Sequence, residues 1–238
     1  MSPPVITRKS ILEGTVQRIA EETEEASLLM TETTRREIVE LMIDTAVSIN
    51  EIWVFGYGSL IWNPALNYVD KQIGKVYGYH RSFCLWSTIG RGSPETPGLL
   101  LGLERGGSCK GIFYRIDAKE ARSELDILFR RELITASYIP TWVKSKSVNG
   151  VSFKAIAFVI DQNHHRYASS LDDTIVIETI AAARGSLGSC SEYLYETVRQ
   201  LNALGMPDSK LALLAKAVLQ KQQEYEHKGI KPSLDFPV

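Results

Sequence analysis

Between residue 52 and about residue 160 the chain carries seven short β-type runs, at 52–55, 72–77, 82–88, 99–103, 111–116, 139–144 and 153–159. Glycine or polar residues break each run from the next. Runs this short with Gly-rich connections predict an antiparallel or mixed, barrel-like sheet. A single helical stretch, about 118–131, interrupts them, with Leu125 and Leu128 on its apolar stripe.

Helical periodicity flanks this zone on both sides. Residues 1–50 read as polar and helical. Thr34 and Glu37 have capping-box spacing, and Ile38, Leu41, Met42, Ala46 and Ile49 follow on one face. From about residue 175 the chain is helical again. Leu194, Val198, Leu201 and Leu204 form a stripe ended by Gly205 and Pro207, and Asp208 can cap a last helix bearing Leu211, Leu214 and Val218. The expected fold class is α+β: a small mixed barrel with flanking helices, divided into an N-terminal helical extension (1–50) and a barrel-containing domain (51–238).

Composition narrows the function classes. Net charge is −1, so no whole-molecule field draws the chain to nucleic acid or an acidic membrane. Cys84, Cys109 and Cys190 are widely spaced, and form neither a disulfide framework nor a metal knuckle. No apolar run is long enough to span a bilayer, and residues 1–14 lack the apolar core of a signal peptide. The expectation is a soluble, cytoplasmic protein.

Chemistry concentrates where the first β-type run ends, in Trp53-Val54-Phe55-Gly56-Tyr57-Gly58-Ser59-Leu60. Two glycines here let backbone approach a ligand and aim N–H groups at an anion. A dinucleotide fingerprint would need glycine at Ile61, and a nucleophile elbow on Ser59 would need it at Tyr57 and Ile61, so both fail. A plain tight turn fits as well as a binding loop. A second loop, residues 90–98, holds two prolines and three glycines. Arg91 within it can grip a substrate carboxylate or stand solvated at the surface.

Glu132 closes the amphipathic helix, against the unfavourable end of its dipole. It is either a surface charge paired with Arg130 or Arg131, or a functional carboxylate. Cys84 and His80, four residues apart on one extended segment, stand roughly 13 Å apart at ~3.3 Å per residue and cannot hydrogen-bond. His164 and His165 read as a loop pair, with no acidic or cysteine cluster near them to complete a metal site.

Phe55 to Pro64, the Gly78-Tyr79-His80-Arg81-Ser82-Phe83 segment, Gly90-Arg91-Gly92, Pro97-Gly98 and Arg131-Glu132-Leu133-Ile134-Thr135 together resemble the ChaC-type γ-glutamylcyclotransferases, the bacterial ones in particular. Further matches, among them Tyr138 to Trp142 and 183–188, extend the resemblance over about 52–219. It implies a γ-glutamylcyclotransferase-like barrel that releases 5-oxoproline and Cys-Gly from glutathione. Phe55, Gly56, Tyr57, Gly58, Ser59 and Leu60 would hold the γ-glutamyl group, and Glu132 would be general acid/base. Arg91 and Tyr138 are further expected substrate contacts. Ala136-Ser137 departs from the family, where a glycine and another small residue often stand. No metal or organic cofactor is implied. Two alternatives stay open: a cyclotransferase for other γ-glutamyl amides or peptides, and a non-catalytic γ-glutamyl-binding regulator.

Overall fold

The β-type runs pair into a closed barrel, in fewer and longer strands than the sequence suggests. The computed structural model describes residues 6–21 and 23–229. The first five residues of the expected extension and the last nine of the expected barrel-containing domain lie outside them. Three helices come first: α1 (Arg8–Leu12), α2 (Thr15–Glu21) and α3 (Glu32–Asp44). Strands β1 (Trp53–Gly56), β2 (Asp70–Ser87) and β3 (Gly98–Arg115) follow, then α4 (Ala121–Glu132), β4 (Tyr138–Ser147) and β5 (Ser152–Ile160). The chain ends with α5 (Asp173–Ala182), a small hairpin β6 (Arg184–Gly185) and β7 (Gly188–Ser189), then α6 (Cys190–Ala203) and α7 (Ser209–Lys228).

The barrel runs in the order β1-β3-β2-β4-β5. It closes because β1 pairs antiparallel with β3 (Phe55 opposite Phe113) and parallel with β5 (Val54 opposite Ile156). Four expected runs merged into two strands because the glycines between them, Gly78, Gly106 and Gly107, lie inside β2 and β3, at φ +83°, +105° and +71°. A Cβ at Gly111 would lie 2.3 Å from the Gly56 carbonyl and 2.6 Å from the Phe55 ring. One at Gly74 would lie 2.5 Å from the Lys146 carbonyl. Glycine is needed at both for close strand approach, not for a turn. Phe55, Phe113, Phe129 and Phe158 are fully buried. Phe113 packs against both Phe55 and Phe153, with ring centroids 4.8 and 4.9 Å apart.

The chain divides into two compact units. One holds residues 6–82 and 102–165, hence the N-terminal helices, the barrel and α4. The other holds Phe83–Leu101 and residues 166–229, so β2 and β3 each contribute to both. In the second unit α6 starts with a capping box, Ser189 with Glu192. It ends in a Schellman motif, where the Gly205 and Met206 amides reach the Asn202 and Leu201 carbonyls. Asp208 caps α7, as expected.

The N-terminal reading needs correction. Thr31, not Thr34, caps α3, and its hydroxyl accepts the Thr34 amide. The buried face is Arg35, Val39 and Met42, while Leu41 is 55% exposed. Ile49 falls beyond the helix in a separate 3₁₀ turn. Arg35 displaces the expected stripe because its guanidinium pairs with Asp126 of α4 at 3.0 Å.

Candidate active site

Glu132 is the last residue of α4, and one buried residue of β5 ties that helix to the loop after β1. The ring of Phe129 meets Phe158 edge-on at 5.7 Å. The hydroxyl of Tyr57 donates to the Phe158 carbonyl at 2.8 Å. Packing and hydrogen bonding thus converge on Phe158 from α4 and from the loop.

The loop turns sharply after Gly56 into a 3₁₀ turn, Ser59–Ile61. A Cβ on Gly56 would stand 3.1 Å from that of Leu60, so the turn folds back tightly on the strand end. Gly58 has φ −129°, outside the left-handed region, so positive φ is not what its glycine provides. Side chains hold the loop by its carbonyls. The Arg81 guanidinium donates to the Tyr57 carbonyl at 2.9 Å. The Tyr114 hydroxyl lies 2.9 and 3.2 Å from the Leu60 and Ile61 carbonyls. Burial pushes that phenol's pKa well above its ordinary value.

Arg131 joins this loop to Glu132. Its guanidinium donates to the Ser59 hydroxyl at 2.8 Å and to the Asn63 carbonyl. Its Nε stands 2.9 Å from Glu132 Oε1. That approach lacks hydrogen-bond direction, and Glu132 Oε1 is one of two buried side-chain polar atoms without a hydrogen-bond partner among the described residues. The side chain is 15% exposed. Burial raises the Glu132 pKa, and the neighbouring Arg131 charge opposes that rise only in part. A buried carboxylate with unused acceptor capacity can exchange a proton with something placed against it.

Tyr138 opens β4, opposite Ile160 of β5. Between it and Glu132 the chain turns through Ala136, whose φ is +55°. His164 Nε2 lies 2.9 Å from the Thr135 carbonyl, and its ring lies 4.4 Å from that of His165. Arg91 belongs to the second unit. There its guanidinium donates to the Ser189 carbonyl at 3.2 Å and lies over the Tyr193 ring. The structure therefore brings Ser59 and Glu132 together on Arg131, and sequence reasoning gave Arg81 and Tyr114 no role.

Comparison with known proteins adds an independent line. A family model described as ChaC-like protein matches residues 52–221. A glutathione-specific gamma-glutamylcyclotransferase of Escherichia coli K12 is 41% identical over 160 residues, 67% of this chain and 69% of that protein. The human glutathione-specific gamma-glutamylcyclotransferase 1 is 30% identical over 173 residues, covering 70% and 78%. The crystal structure of a yeast γ-glutamyl cyclotransferase specific to glutathione matches with TM-score 0.69 at 20% identity. It covers 75% of this chain and 100% of that one, a likeness of fold.

Proposed function

The chain belongs to the ChaC-like protein family, and on that premise we propose that it is a glutathione-specific γ-glutamylcyclotransferase. The observation that carries the chemistry is the buried Glu132 Oε1, which lies beside Arg131 without a hydrogen-bond partner among the described residues. In glutathione the free α-amine of the γ-glutamyl unit attacks its own γ-carbonyl. A C–N bond closes the five-membered lactam, and the amide bond to cysteine breaks. Products are 5-oxoproline and Cys-Gly.

Both partners sit in one molecule, so the protein supplies conformation rather than a nucleophile. Two proton movements remain. The amine, with an unperturbed pKa near ~8, is mostly protonated at neutral pH, and the departing nitrogen must gain a proton. Glu132 accepts from the first and donates to the second. Burial raises its pKa, which makes the carboxylate a stronger base toward the amine. The loop at residues 55–60 (Phe55, Gly56, Tyr57, Gly58, Ser59, Leu60) holds the γ-glutamyl group through its main-chain amides, and Tyr138 is a further contact. Arg91 is left out of this assignment because Ser189 and Tyr193 engage its guanidinium. Residues 51–238 form the catalytic portion and 1–50 an extension to it. Because glutathione is a cytoplasmic metabolite, the protein acts there. Among the described residues no helix is long and apolar enough to cross a membrane.

Incubation of the purified protein with glutathione, following 5-oxoproline, tests the reading directly. N-acetylglutathione, whose nitrogen cannot attack, should give no product at any enzyme concentration. Glutamate released from it would mean hydrolysis by another nucleophile and end the cyclisation reading. Parallel incubation with other γ-glutamyl peptides decides how far selectivity for glutathione extends.

A further inference from the structure

The family match begins at residue 52, yet the chain before it grips the catalytic helix on both sides of Glu132. Resting on the cyclotransferase reading, we propose that Ile6, Arg8, Gln17, Met30 and Arg35 form a brace that positions Glu132, with Gln17 as its main positioning residue.

The need for a brace follows from helix geometry. The last four carbonyls of a helix have no intrahelical donor. At the end of α4 the Phe129 carbonyl is taken by the Leu133 amide at 2.9 Å. The next carbonyl, Arg130, receives Gln17 Nε2 at 3.0 Å. Two residues beyond Glu132, the Ile134 carbonyl accepts the Met30 amide at 2.9 Å. The backbone carrying the general base is therefore held before and after it by the N-terminal segment.

The same segment holds the other components. Arg8 makes a two-pronged pair with the fully buried carboxylate of Glu124, at 2.5 and 2.6 Å. That carboxylate also accepts the Asn67 amide at 2.8 Å. The Ile6 carbonyl accepts Asn63 Nδ2 at 2.6 Å, and the carbonyl of Asn63 accepts from Arg131. One segment thereby fixes α4 at Glu124 and Arg130 and fixes the end of the substrate loop at Asn63 and Asn67. A decorative surface helix would meet neither the free carbonyls of a helix end nor a buried carboxylate.

The test uses the full-length protein with Gln17→Leu, which removes the donor at similar volume, and Gln17→Lys, which supplies another. Arg122→Ala is the control. It breaks the exposed Arg122–Glu40 pair, which also links α3 to α4 but at the far end of the helix. Turnover in Gln17→Leu should fall about 5–10-fold, since small displacements of a catalytic group are expensive in rate. KM should stay within about twofold, as for a contact that matters in the transition state. The melting temperature should drop by about 2–4 °C for one lost hydrogen bond. Gln17→Lys should recover most of the turnover, and Arg122→Ala should lose none. Wild-type kcat in Gln17→Leu, or an equal loss in Arg122→Ala, overturns the brace. If the wild-type protein makes no 5-oxoproline, the cyclotransferase reading fails by itself. Amide hydrogen exchange at Leu133 then decides on the brace, faster exchange in Gln17→Leu supporting it and unchanged exchange refuting it.

Discussion

Replacing Arg131 by methionine should do two separable things, because its guanidinium both ties the loop to α4 and offsets the burial of Glu132. The side chain is 5% exposed and donates to Ser59 and to the Asn63 carbonyl. Hydrogen bonds from a charged donor contribute about 1.5–3 kcal/mol each. Relief from keeping a guanidinium buried offsets several kcal/mol of that sum. A net loss of about 2–3 kcal/mol corresponds to a melting temperature lower by about 5–10 °C. With the tie cut, a displacement of Glu132 on the order of 1 Å would lower kcat by ~10²-fold. The second effect appears in the pH profile. Burial raises the Glu132 pKa and Arg131 restrains that rise. Removing the cation raises it further, so the acid limb of kcat/KM moves to higher pH. Arg131→Lys keeps a positive charge but not the two-point grip. Its kcat should drop ~10-fold with the acid limb in place. Rates measured from pH 5 to 9 for the three proteins decide the matter. An unmoved limb in the methionine variant, or the same shift in the lysine variant, would refute the electrostatic role.

Glu132→Gln should keep the fold and lower turnover by ~10²-fold or more, because an amide cannot carry the proton; wild-type turnover would remove Glu132 from the mechanism. The same variant has a stability signature. A carboxyl whose folded pKa is raised stabilises the fold only below its unfolded pKa, near ~4.3, and that contribution is lost as pH rises through the folded value. The melting temperature of Glu132→Gln relative to wild type should therefore climb between pH 4 and 8, and a constant difference would mean the carboxyl is not desolvated. Ala136→Gly should raise the melting temperature by about 1–3 °C, since Ala136 is held at φ +55° and relief of left-handed strain exceeds the added chain entropy. A lower melting temperature by calorimetry would show that position to be unstrained.

Periodicity made the zones of this fold legible. Helices flank a barrel, the cap at Asp208 and the stop at Gly205 are where the residues put them, and Glu132 closes its helix just before a strand. Strand lengths were not legible, because Gly78, Gly106 and Gly107 take positive φ inside continuous strands and a sequence cannot distinguish that from a break. The α3 face was misjudged because an ion pair with Asp126 buries Arg35, a charged residue outside the expected apolar stripe. Choosing between Arg130 and Arg131 as the partner of Glu132 had a usable signal. Glu124, Leu128 and Arg131 recur at helical spacing on the buried face, so Arg131 points inward. Arg130 instead lies four residues after Asp126 and pairs with it at 2.8 Å. Arg81 and Tyr114 gave no such sign, since a donor aimed at a distant carbonyl leaves no local pattern.

The way the loop is held has a consequence for what it can bind. The carbonyl of Tyr57 is occupied by Arg81, that of Gly58 by the Ile61 amide at 2.9 Å, and that of Ser59 by the Asn63 amide at 3.0 Å. Tyr114 occupies those of Leu60 and Ile61. Five successive carbonyl oxygens, the groups that would repel a carboxylate, are thus engaged elsewhere. The Gly58, Ser59 and Leu60 amides of the same peptide units carry the opposite partial charge, and an anion near them meets donors without competing lone pairs. A reaction that brings its own nucleophile asks its site for orientation above all, and orientation of a γ-glutamyl group begins with its α-carboxylate. Arg81 and Tyr114 fix carbonyls of the loop, and Arg131 fixes its Ser59 hydroxyl and the Asn63 carbonyl after it. Under the cyclotransferase proposal, Glu132 beside this loop carries the proton.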